Sequence, residues 1–277
     1  MKPRDAIREL GRHIQTGRNV SSKLKIVQIC FLKYAEGRSP IAIKKVIDLF
    51  VNGMLIETNV KFFIRTLNDF FIFSSLWEKE LQNAFKFKKG MNFLDVGAHI
   101  GKYTLRASLK IGEEGKVIAV EPDKDNFGLL LKNLKANGVT NCIPLNIAAY
   151  YKDAEIPLFL GVTPAQHSVK EDFGRGSHRV QARPLDNVLA EMGIERVDLI
   201  KMDVEGAEYE VLKGLENTLI NRSPVLVIEI IRKDQAKVIK YLESLGYRTR
   251  LLHVFLPFRG GLMFYHFEKV RTPTRSS

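Results

Sequence analysis

Residues 92–101 read Asn-Phe-Leu-Asp-Val-Gly-Ala-His-Ile-Gly, and this stretch decides the fold class. An apolar run reaches an acid, Asp95, and continues directly into a Gly-x-x-x-Gly turn formed by Gly97 and Gly101. The next residues, 102–105, open a helical segment. A strand, a glycine turn and a helix in this order predict a ligand-binding turn at the edge of a parallel sheet.

The spacing of the glycines separates this turn from the turn that binds dinucleotides. Glycine has no Cβ, so a nucleoside can pack against the bare backbone. The Gly-x-Gly-x-x-Gly spacing of a pyrophosphate site is absent, and Asp95 would repel a pyrophosphate. An acid here suits a ligand that carries a sulfonium and an ammonium group. Taken alone, the turn could also be a purely structural connection.

A second strand that ends in an acid follows at a fitting interval. Residues 117–120 are apolar and lead into Glu121-Pro122, and Glu121 lies 20 residues after Gly101. At about this interval an acid accepts hydrogen bonds from ribose hydroxyls in Rossmann-type sites. Asn126 either lines the same crevice or serves only the start of the next helix. The two features in register favour a nucleoside site over a structural turn.

A third strand brings more charge to the same edge. Leu199–Met202 reads as a strand, and Asp203 and Glu205 follow it, with Lys201 inside it. The carboxyl ends of strands in open α/β sheets are where ligands bind. Two carboxylates and a lysine there could deprotonate or orient an acceptor hydroxyl. Alternatively, these acids only stabilise the N-terminus of the next helix, and this structural role is the simpler interpretation for Glu208.

The rhythm of strand, turn and helix extends through the rest of the chain. It predicts a mainly parallel sheet covered by helices, with an antiparallel hairpin over Leu251–Phe267 that turns near Gly260-Gly261. The predicted strands are Asn92–Val96, Lys116–Glu121, Cys142–Asn146, Leu199–Asp203 and Val225–Ile230. The predicted helices between them are Lys124–Asn137, Ala207–Leu219 and Lys233–Leu245.

The first fifty residues differ in composition from the rest. They hold eleven lysines and arginines against four acids, more than half of the net charge of +12. Apolar residues recur at helical spacing, as in Leu24, Val27 and Phe31, and predict two or three amphipathic helices. A solvated basic face is favoured over nucleic-acid binding, because no aromatic residues interleave with the charges. A hairpin around Thr58-Asn59 and a helix beginning at Ser75 are predicted next.

These features divide the chain into a basic helical extension, residues 1–52, a ligand-binding domain, residues 53–270, and a loose tail, residues 271–277. No apolar run reaches the roughly 20 residues that span a bilayer, and no secretory signal is evident, so a cytoplasmic location is expected. The two cysteines, Cys30 and Cys142, lack metal-type spacing. His167, His178 and His253 are isolated and receive no role.

The motifs together resemble the FkbM family of methyltransferases, over about residues 53–247. The most specific is Lys201-x-Asp-Val-Glu-Gly-Ala-Glu208. The other matching segments are Asp95–Thr104, Glu121-Pro122 with Asn126, Pro184-Leu185-Asp186, Leu212-Lys213-Gly214, Pro224 and Glu229. The resemblance implies a Rossmann-like class I methyltransferase fold dependent on S-adenosylmethionine (AdoMet), with a mainly parallel seven-stranded sheet and an antiparallel C-terminal hairpin.

The resemblance also implies roles for residues. Asp95, Gly97 and Gly101 would hold the methionine end, Glu121 the ribose and Asp203 the sulfonium side. The whole cofactor-binding set is Asp95, Gly97, Ala98, His99, Gly101, Thr104, Glu121, Pro122, Asn126, Ala148 and Asp203. His99 stands where the family usually has Asn. The stretch 146–151 lacks the expected acid after alanine, which leaves the adenine contact open. The family's Ser-Ser-Leu-like segment is matched only loosely by His167-Ser168-Val169.

The expected reaction is O-methylation of a small molecule, a sugar or a lipid-linked glycan. Glu205 or Glu229 is the predicted proton acceptor, with Lys201 as the third catalytic candidate and His99 as a further secondary one. Asp203, Glu205 and Glu229 could hold a divalent cation, but a polar site without metal is favoured. An RNA methyltransferase that grips phosphate with its basic extension, and a non-catalytic AdoMet-binding or interaction protein, are the alternatives. A homodimer is compatible with the sequence.

Overall fold

The computed structural model describes residues 12–36, 51–73, 81, 83–255 and 262–269. Within them the central feature is a seven-stranded sheet. Its strands are β3 (Asn92–Val96), β4 (Lys116–Val120), β5 (Cys142–Leu145), β9 (Leu199–Met202), β10 (Val225–Ile231), β11 (Tyr247–Phe255) and β12 (Leu262–Lys269). These strands follow the segments predicted from the sequence, with ends that differ by a residue or a few.

The sheet has the order β11-β12-β10-β9-β3-β4-β5. β3 pairs in parallel with both β4 and β9, β4 with β5, and β9 with β10, whereas β12 is antiparallel to β10 and β11. The predictions of a mainly parallel seven-stranded sheet and an antiparallel C-terminal hairpin are confirmed; the hairpin's turn lies outside the described residues. The chain leaves β3 toward β4 and returns to the other side at β9. Such a reversal opens a crevice at the carboxyl ends of the strands.

Helices cover both faces of this sheet. They are α3 (Lys102–Ile111), α4 (Lys124–Ala136), α5 (Leu185–Glu191), α6 (Glu208–Lys213), α7 (Glu216–Asn221) and α8 (Gln235–Ser244). The prediction of one helix over 207–219 was wrong, because the chain forms α6 and α7 with a break at Gly214. A Cβ on Gly214 would lie 2.1 Å from the Tyr150 carbonyl oxygen, so two backbones touch where the helix stops.

A second, three-stranded sheet was not predicted. It has the order β6-β8-β7, from β6 (Ala148–Ala149), β7 (Ala154–Phe159) and β8 (Ser177–Arg183). β6 has only two residues, and β8 alternates exposed polar side chains with the buried Val180 and Ala182. So short and half-exposed a pattern gives little periodic signal. The sheet is an insertion that stands beside the carboxyl edge of the main sheet.

The amino-terminal part packs as a layer on the core. It contains a helical turn at 12–16, α1 (Val20–Glu36), β1 (Met54–Glu57), β2 (Lys61–Ile64) and α2 (Leu67–Phe73). β1 and β2 form the predicted hairpin around Thr58-Asn59. The Asn133 side chain of α4 accepts the Phe63 N–H at 2.7 Å and fixes the hairpin to the core.

The face by which α1 packs is not the one that its clearest apolar spacing suggested. Ile26 and Ile29 are fully buried in a cluster that also holds Phe62 of the hairpin and Ile100 of the core, whereas Leu24 and Phe31 point outward. The predicted division at residue 52 stays a prediction, and α1 shares a core with the domain that follows. Residues 1–11 and 37–50, the start of the helix predicted from Ser75 and the tail 271–277 lie outside the described residues. Residues 83–88, to which that helix was predicted to extend, are described and are not helical.

Candidate active site

The crevice at the switch point holds a cavity of about 460 Å³, a size typical of small-molecule sites. Its walls come from the tips of β3, β4 and β9 with the turn after β9, and from the segment between β7 and β8, residues 160–176, which we call the insertion. One or two residues from each of α2, α3, α4, β6, β7, β10 and β12 complete the lining. The residues that carry its chemistry are Gly97, Ala98, His99, Glu121, Pro122, Asn126, Ala148, Lys201, Asp203, Glu205 and Glu229.

The Gly97 turn is fixed by contact between strand tips. Gly97 has a φ of +76°, and a Cβ on it would lie 1.8 Å from the Asp203 carbonyl oxygen. The N–H groups of Gly97 and Ala98 both donate to the Val120 carbonyl at 3.0 Å, and the Asp203 N–H donates to the Val96 carbonyl at 3.1 Å. Glycine is therefore required at 97 because the backbone of Asp203 occupies the space that a side chain would need. This requirement is independent of the approach of a ligand to the same turn.

A buried charge network lies behind this turn. The Thr104 hydroxyl donates to Asp95 Oδ2 at 2.6 Å. Lys201 Nζ donates to the Gly97 carbonyl at 2.7 Å and lies 3.7 Å from Asp95 Oδ1 and 3.5 Å from Asp203 Oδ2. Burial raises the pKa of Asp95, against the opposing effects of Lys201 and Thr104. Lys201 therefore joins the tips of β3 and β9 and brings its charge to the cavity wall.

Glu121 is a buried carboxylate at the tip of β4. It accepts the His99 N–H at 2.8 Å, the Asp123 N–H at 3.0 Å and the Asn126 Nδ2–H at 3.2 Å. A carboxylate has about four acceptor sites, so one remains for a hydroxyl of a ligand. Burial raises the Glu121 pKa to about 7, although the three N–H donors act in the opposite direction. A hydrogen-bond donor that enters the cavity would therefore favour the charged form of Glu121 at neutral pH.

His99 and Asp69 face each other at the side of the cavity. His99 has a left-handed φ of +52°, and its Nε2 lies 3.7 Å from Asp69 Oδ1. Neither of these two buried atoms has a hydrogen-bond partner in the structure. Burial lowers the His99 pKa to about 4, with Asp69 opposing the shift, so the imidazole is neutral at neutral pH. The ring therefore presents a neutral, polar wall where the FkbM pattern usually has Asn.

The turn after β9 is also strained. Glu205 has a φ of +51°, and Ser168 donates to its carbonyl at 2.7 Å. Glu208 accepts the Gly206 N–H at 2.9 Å and is buried, which raises its pKa to about 7. Left-handed non-glycine residues cost about 1–3 kcal/mol and concentrate at functional sites. Glu205 and Glu229 both line the cavity, Glu229 from within β10.

The insertion supplies a wall that only the loose match at His167-Ser168-Val169 indicated. Residues 162–167 line the cavity, together with Leu158 and Val169. Asn126 Nδ2 donates to the Pro164 carbonyl at 3.0 Å, and the Gly161 N–H donates to His167 Nδ1 at 3.0 Å. The insertion is therefore attached to the β4 tip by a residue that also contacts Glu121.

The predicted site residues fall into two groups. Eight of the predicted cofactor-binding residues and all three catalytic candidates line the cavity. Asp95, Gly101 and Thr104 lie behind its wall: Asp95 and Thr104 are fully buried, and Gly101 packs against Leu130. Direct contact of any of them with a cofactor stays a prediction.

Several cavity residues escaped the sequence interpretation. They are Asn68 and Ile72 of α2, Tyr103 of α3, residues 162–167 and Phe264 of β12. His167, to which no role was given, is among them, and His178 lies 3.6 Å from Asp123 Oδ2. The loose match at His167-Ser168-Val169 was the only signal, since the other residues reach the cavity through long-range packing.

No group of three or more His, Cys, Asp or Glu side chains is arranged to hold a metal ion in the ranges that the structure covers. Among those same ranges, no helix combines the length and apolar character needed to cross a bilayer.

Sheet order, glycine turn and acids at successive strand tips define a Rossmann-like methyltransferase fold. The model of the methyltransferase FkbM domain matches residues 95–249, more than half of the chain. The chain belongs to the FkbM methyltransferase family.

Known relatives agree with this assignment. The hexuronic acid methyltransferase AglP of Haloferax volcanii is 29% identical over 158 residues, 57% of this chain and 63% of that protein. The 2-O-methyltransferase NoeI of Sinorhizobium fredii is 29% identical over 142 residues, 46% of this chain and 58% of that protein. An FkbM methyltransferase structure from Methylobacillus flagellatus superposes with a TM-score of 0.52 at 18% identity, over 95% of this chain and 59% of that chain. The matches span about three fifths of each of these relatives.

Proposed function

We propose that this chain transfers a methyl group from AdoMet to a hydroxyl group of a sugar, a lipid-linked glycan or another small molecule. The observation that carries the proposal is Glu121: a buried carboxylate with one remaining acceptor site, in the same cavity as the Gly97 turn and Asp203. That combination suits a ribose hydroxyl beside a positively charged group.

The residues present fit AdoMet. Glu121 would accept a ribose hydroxyl, and Ala98, Pro122 and Ala148 offer small or apolar surfaces to the nucleoside. Asp203, whose side chain is one-third exposed, offers negative charge to the cationic end. His99 and Asn126 support Glu121 from two sides. A cavity of about 460 Å³ accommodates a nucleoside of this class with part of an acceptor.

AdoMet supplies a methyl group on an activated leaving group, so the protein contributes mainly alignment and proton removal. Glu205 and Glu229 are the proposed proton acceptors, because both carboxyl-bearing residues line the cavity. Lys201 already contacts two carboxylates and a carbonyl. These contacts suit a charged residue that positions Asp203, and they suit a catalytic base less well. His99 is neutral at neutral pH and can orient a hydroxyl.

The class of acceptor is proposed from relatives. One relative is a hexuronic acid methyltransferase and another is a 2-O-methyltransferase. Both names point to hydroxylated acceptors, which agrees with a cavity that is lined by two glutamates able to accept or orient a proton.

Tritium-labelled AdoMet tests the proposal. The purified protein should transfer label to glycans that contain hexuronic acid or to another hydroxylated acceptor in a cell extract, and not to RNA. Transfer to RNA only, with binding that weakens steeply between low and moderate salt, would establish the RNA alternative. AdoMet binding without transfer to any fraction of the extract would instead mark the chain as a binding protein.

A further inference from the structure

The exposed face of α1 carries a row of apolar side chains. Val20, Leu24, Val27 and Phe31 are 75%, 61%, 38% and 70% exposed. Their spacing of four, three and four residues places them in one row along the helix, because such residues share a face. We call this row the α1 stripe. Single exposed apolar residues are ordinary, whereas a continuous row marks a surface for interaction.

The opposite face of α1 is held firmly to the protein. Ile26 and Ile29 are fully buried against the hairpin and α2, and Ser22 is almost fully buried. Lys25 Nζ donates to the Leu55 carbonyl at 3.0 Å. The helix is thus apolar on two sides, one of which is used by the fold. Packing inside this unit leaves the α1 stripe outward.

Most charged residues in the segment that carries the stripe are basic. Residues 12–36 contain five lysines and arginines and one acid, Glu36 at the end of the helix. Arg12, Arg18 and Lys23 are exposed. Lys23 precedes Leu24 and lies at the border of the stripe. A second copy of the chain placed on this surface would bring like charges together, whereas an anionic surface would be attracted.

We propose that the α1 stripe and its basic border dock on an anionic lipid surface, with the helix lying in the plane of the interface. Apolar side chains of such a helix enter the boundary between headgroups and acyl chains, and Lys and Arg contact the headgroups. A nucleic acid is less suited to this surface, since its aliphatic residues provide no base-stacking platform apart from Phe31.

The docking would turn the α2 side of the cavity toward the lipid. α1 packs on α2, and Asn68 and Ile72 of α2 line the cavity. Two helices, α1 itself and α2, therefore lie between the α1 stripe and the cavity. This arrangement would favour a lipid-linked acceptor. That consequence rests on the proposed methyltransferase function, whereas the docking proposal is independent of it.

Vesicle co-sedimentation tests the docking. The full chain should bind vesicles of phosphatidylcholine mixed with phosphatidylglycerol about tenfold or more tightly than vesicles of phosphatidylcholine alone, and added salt should weaken binding. The double variant Leu24→Glu/Phe31→Glu should lose at least about tenfold of that binding, because it replaces two apolar anchors with charges repelled by the lipid.

The matched control is Leu109→Glu/Leu131→Glu, which changes two exposed leucines on α3 and α4 by the same chemistry and charge. Circular dichroism and AdoMet titration of both double variants establish that each is folded, so a failed cofactor site is distinguished from failed docking. Equal losses in the two double variants, or no vesicle binding by the wild type, overturn the proposal. A dimer, or an RNA complex, that only the α1 variant abolishes in the absence of vesicle binding also overturns it.

Discussion

The tips of β3 and β4 and the insertion at 162–167 form two sides of one cavity, and they are held in different ways. The tips are fixed by backbone contact: Gly97 touches the Asp203 carbonyl, and Glu121 accepts two backbone N–H groups. The insertion is attached to the other walls by side-chain hydrogen bonds, from Asn126 to the Pro164 carbonyl and from Ser168 to the Glu205 carbonyl. We therefore expect the strand tips to be the more rigid side of the cavity and the insertion the more adjustable one.

The largest effect is expected at the contact between strand tips. Gly97→Ala should destabilise the protein by about 3 kcal/mol or more and abolish AdoMet binding, because the Cβ would meet a backbone carbonyl in addition to the cost of a positive φ. Chemical denaturation and titration measure both. Gly174→Ala is the control, since Gly174 also has a positive φ of +67° but no atoms within 4 Å of a Cβ. It should cost about 1 kcal/mol. Similar losses in the two variants would contradict the role of backbone contact.

Next in size is the proposed proton acceptor. Glu205→Gln or Glu229→Gln should lower kcat about 100-fold or more while AdoMet affinity changes little, because general base catalysis contributes about that factor. Single-turnover transfer of labelled methyl groups measures the effect, and Glu195→Gln, at an exposed site away from the cavity, is the control. Full activity in both cavity variants would remove carboxylate base catalysis from the account.

Glu121 should show a pH-dependent loss of affinity. Its pKa is raised to about 7 by burial, and a ligand hydroxyl would bind its charged form. AdoMet affinity should then fall as the pH decreases below about 7, approaching tenfold per pH unit, because binding must first release a proton. Glu121→Gln should weaken binding about 10- to 100-fold and flatten the profile. A variant that keeps the wild-type pH profile would assign the titration to another group.

The smallest effect is expected in the insertion. His167→Ala should weaken AdoMet binding roughly threefold to tenfold, since one neutral hydrogen bond to the Gly161 N–H is lost. His178→Ala is the control, because the Nε2 atoms of His167 and His178 lie 4.0 Å and 3.6 Å from Asp123 Oδ2, but only His167 lines the cavity. A loss as large as that of Glu121→Gln would mean that the two sides of the cavity do not differ in rigidity.

The contrast between the strand tips and the insertion also explains which parts of the structure the sequence could predict. The sheet, its C-terminal hairpin and the residues at strand tips were predictable because their signals are local: apolar strands, glycines in tight turns and acids at strand ends. Asp95 and Thr104 show the limit even there, since motif position did not tell that both lie behind the cavity wall. Their hydrogen bond depends on the approach of α3 to β3.

The three-stranded sheet, its insertion between β7 and β8 and the amino-terminal layer depend on contacts between distant segments. β6 has two residues and pairs with β8, more than thirty residues later. Asn68 and Ile72 reach the cavity because the hairpin and α2 pack on α4 through long-range contacts. For α1, the most regular apolar spacing marked the outward face, because both sides of the helix are apolar and periodicity alone does not tell which one is buried.

Isothermal titration calorimetry of the wild-type protein with AdoMet and with its demethylated product, S-adenosylhomocysteine, tests the central claim most directly. The account predicts saturable binding of both ligands with one site per chain, and its loss in Glu121→Ala while the fold is retained. Absence of binding for both ligands in folded wild-type protein would contradict the assignment of the cavity between β3 and β4.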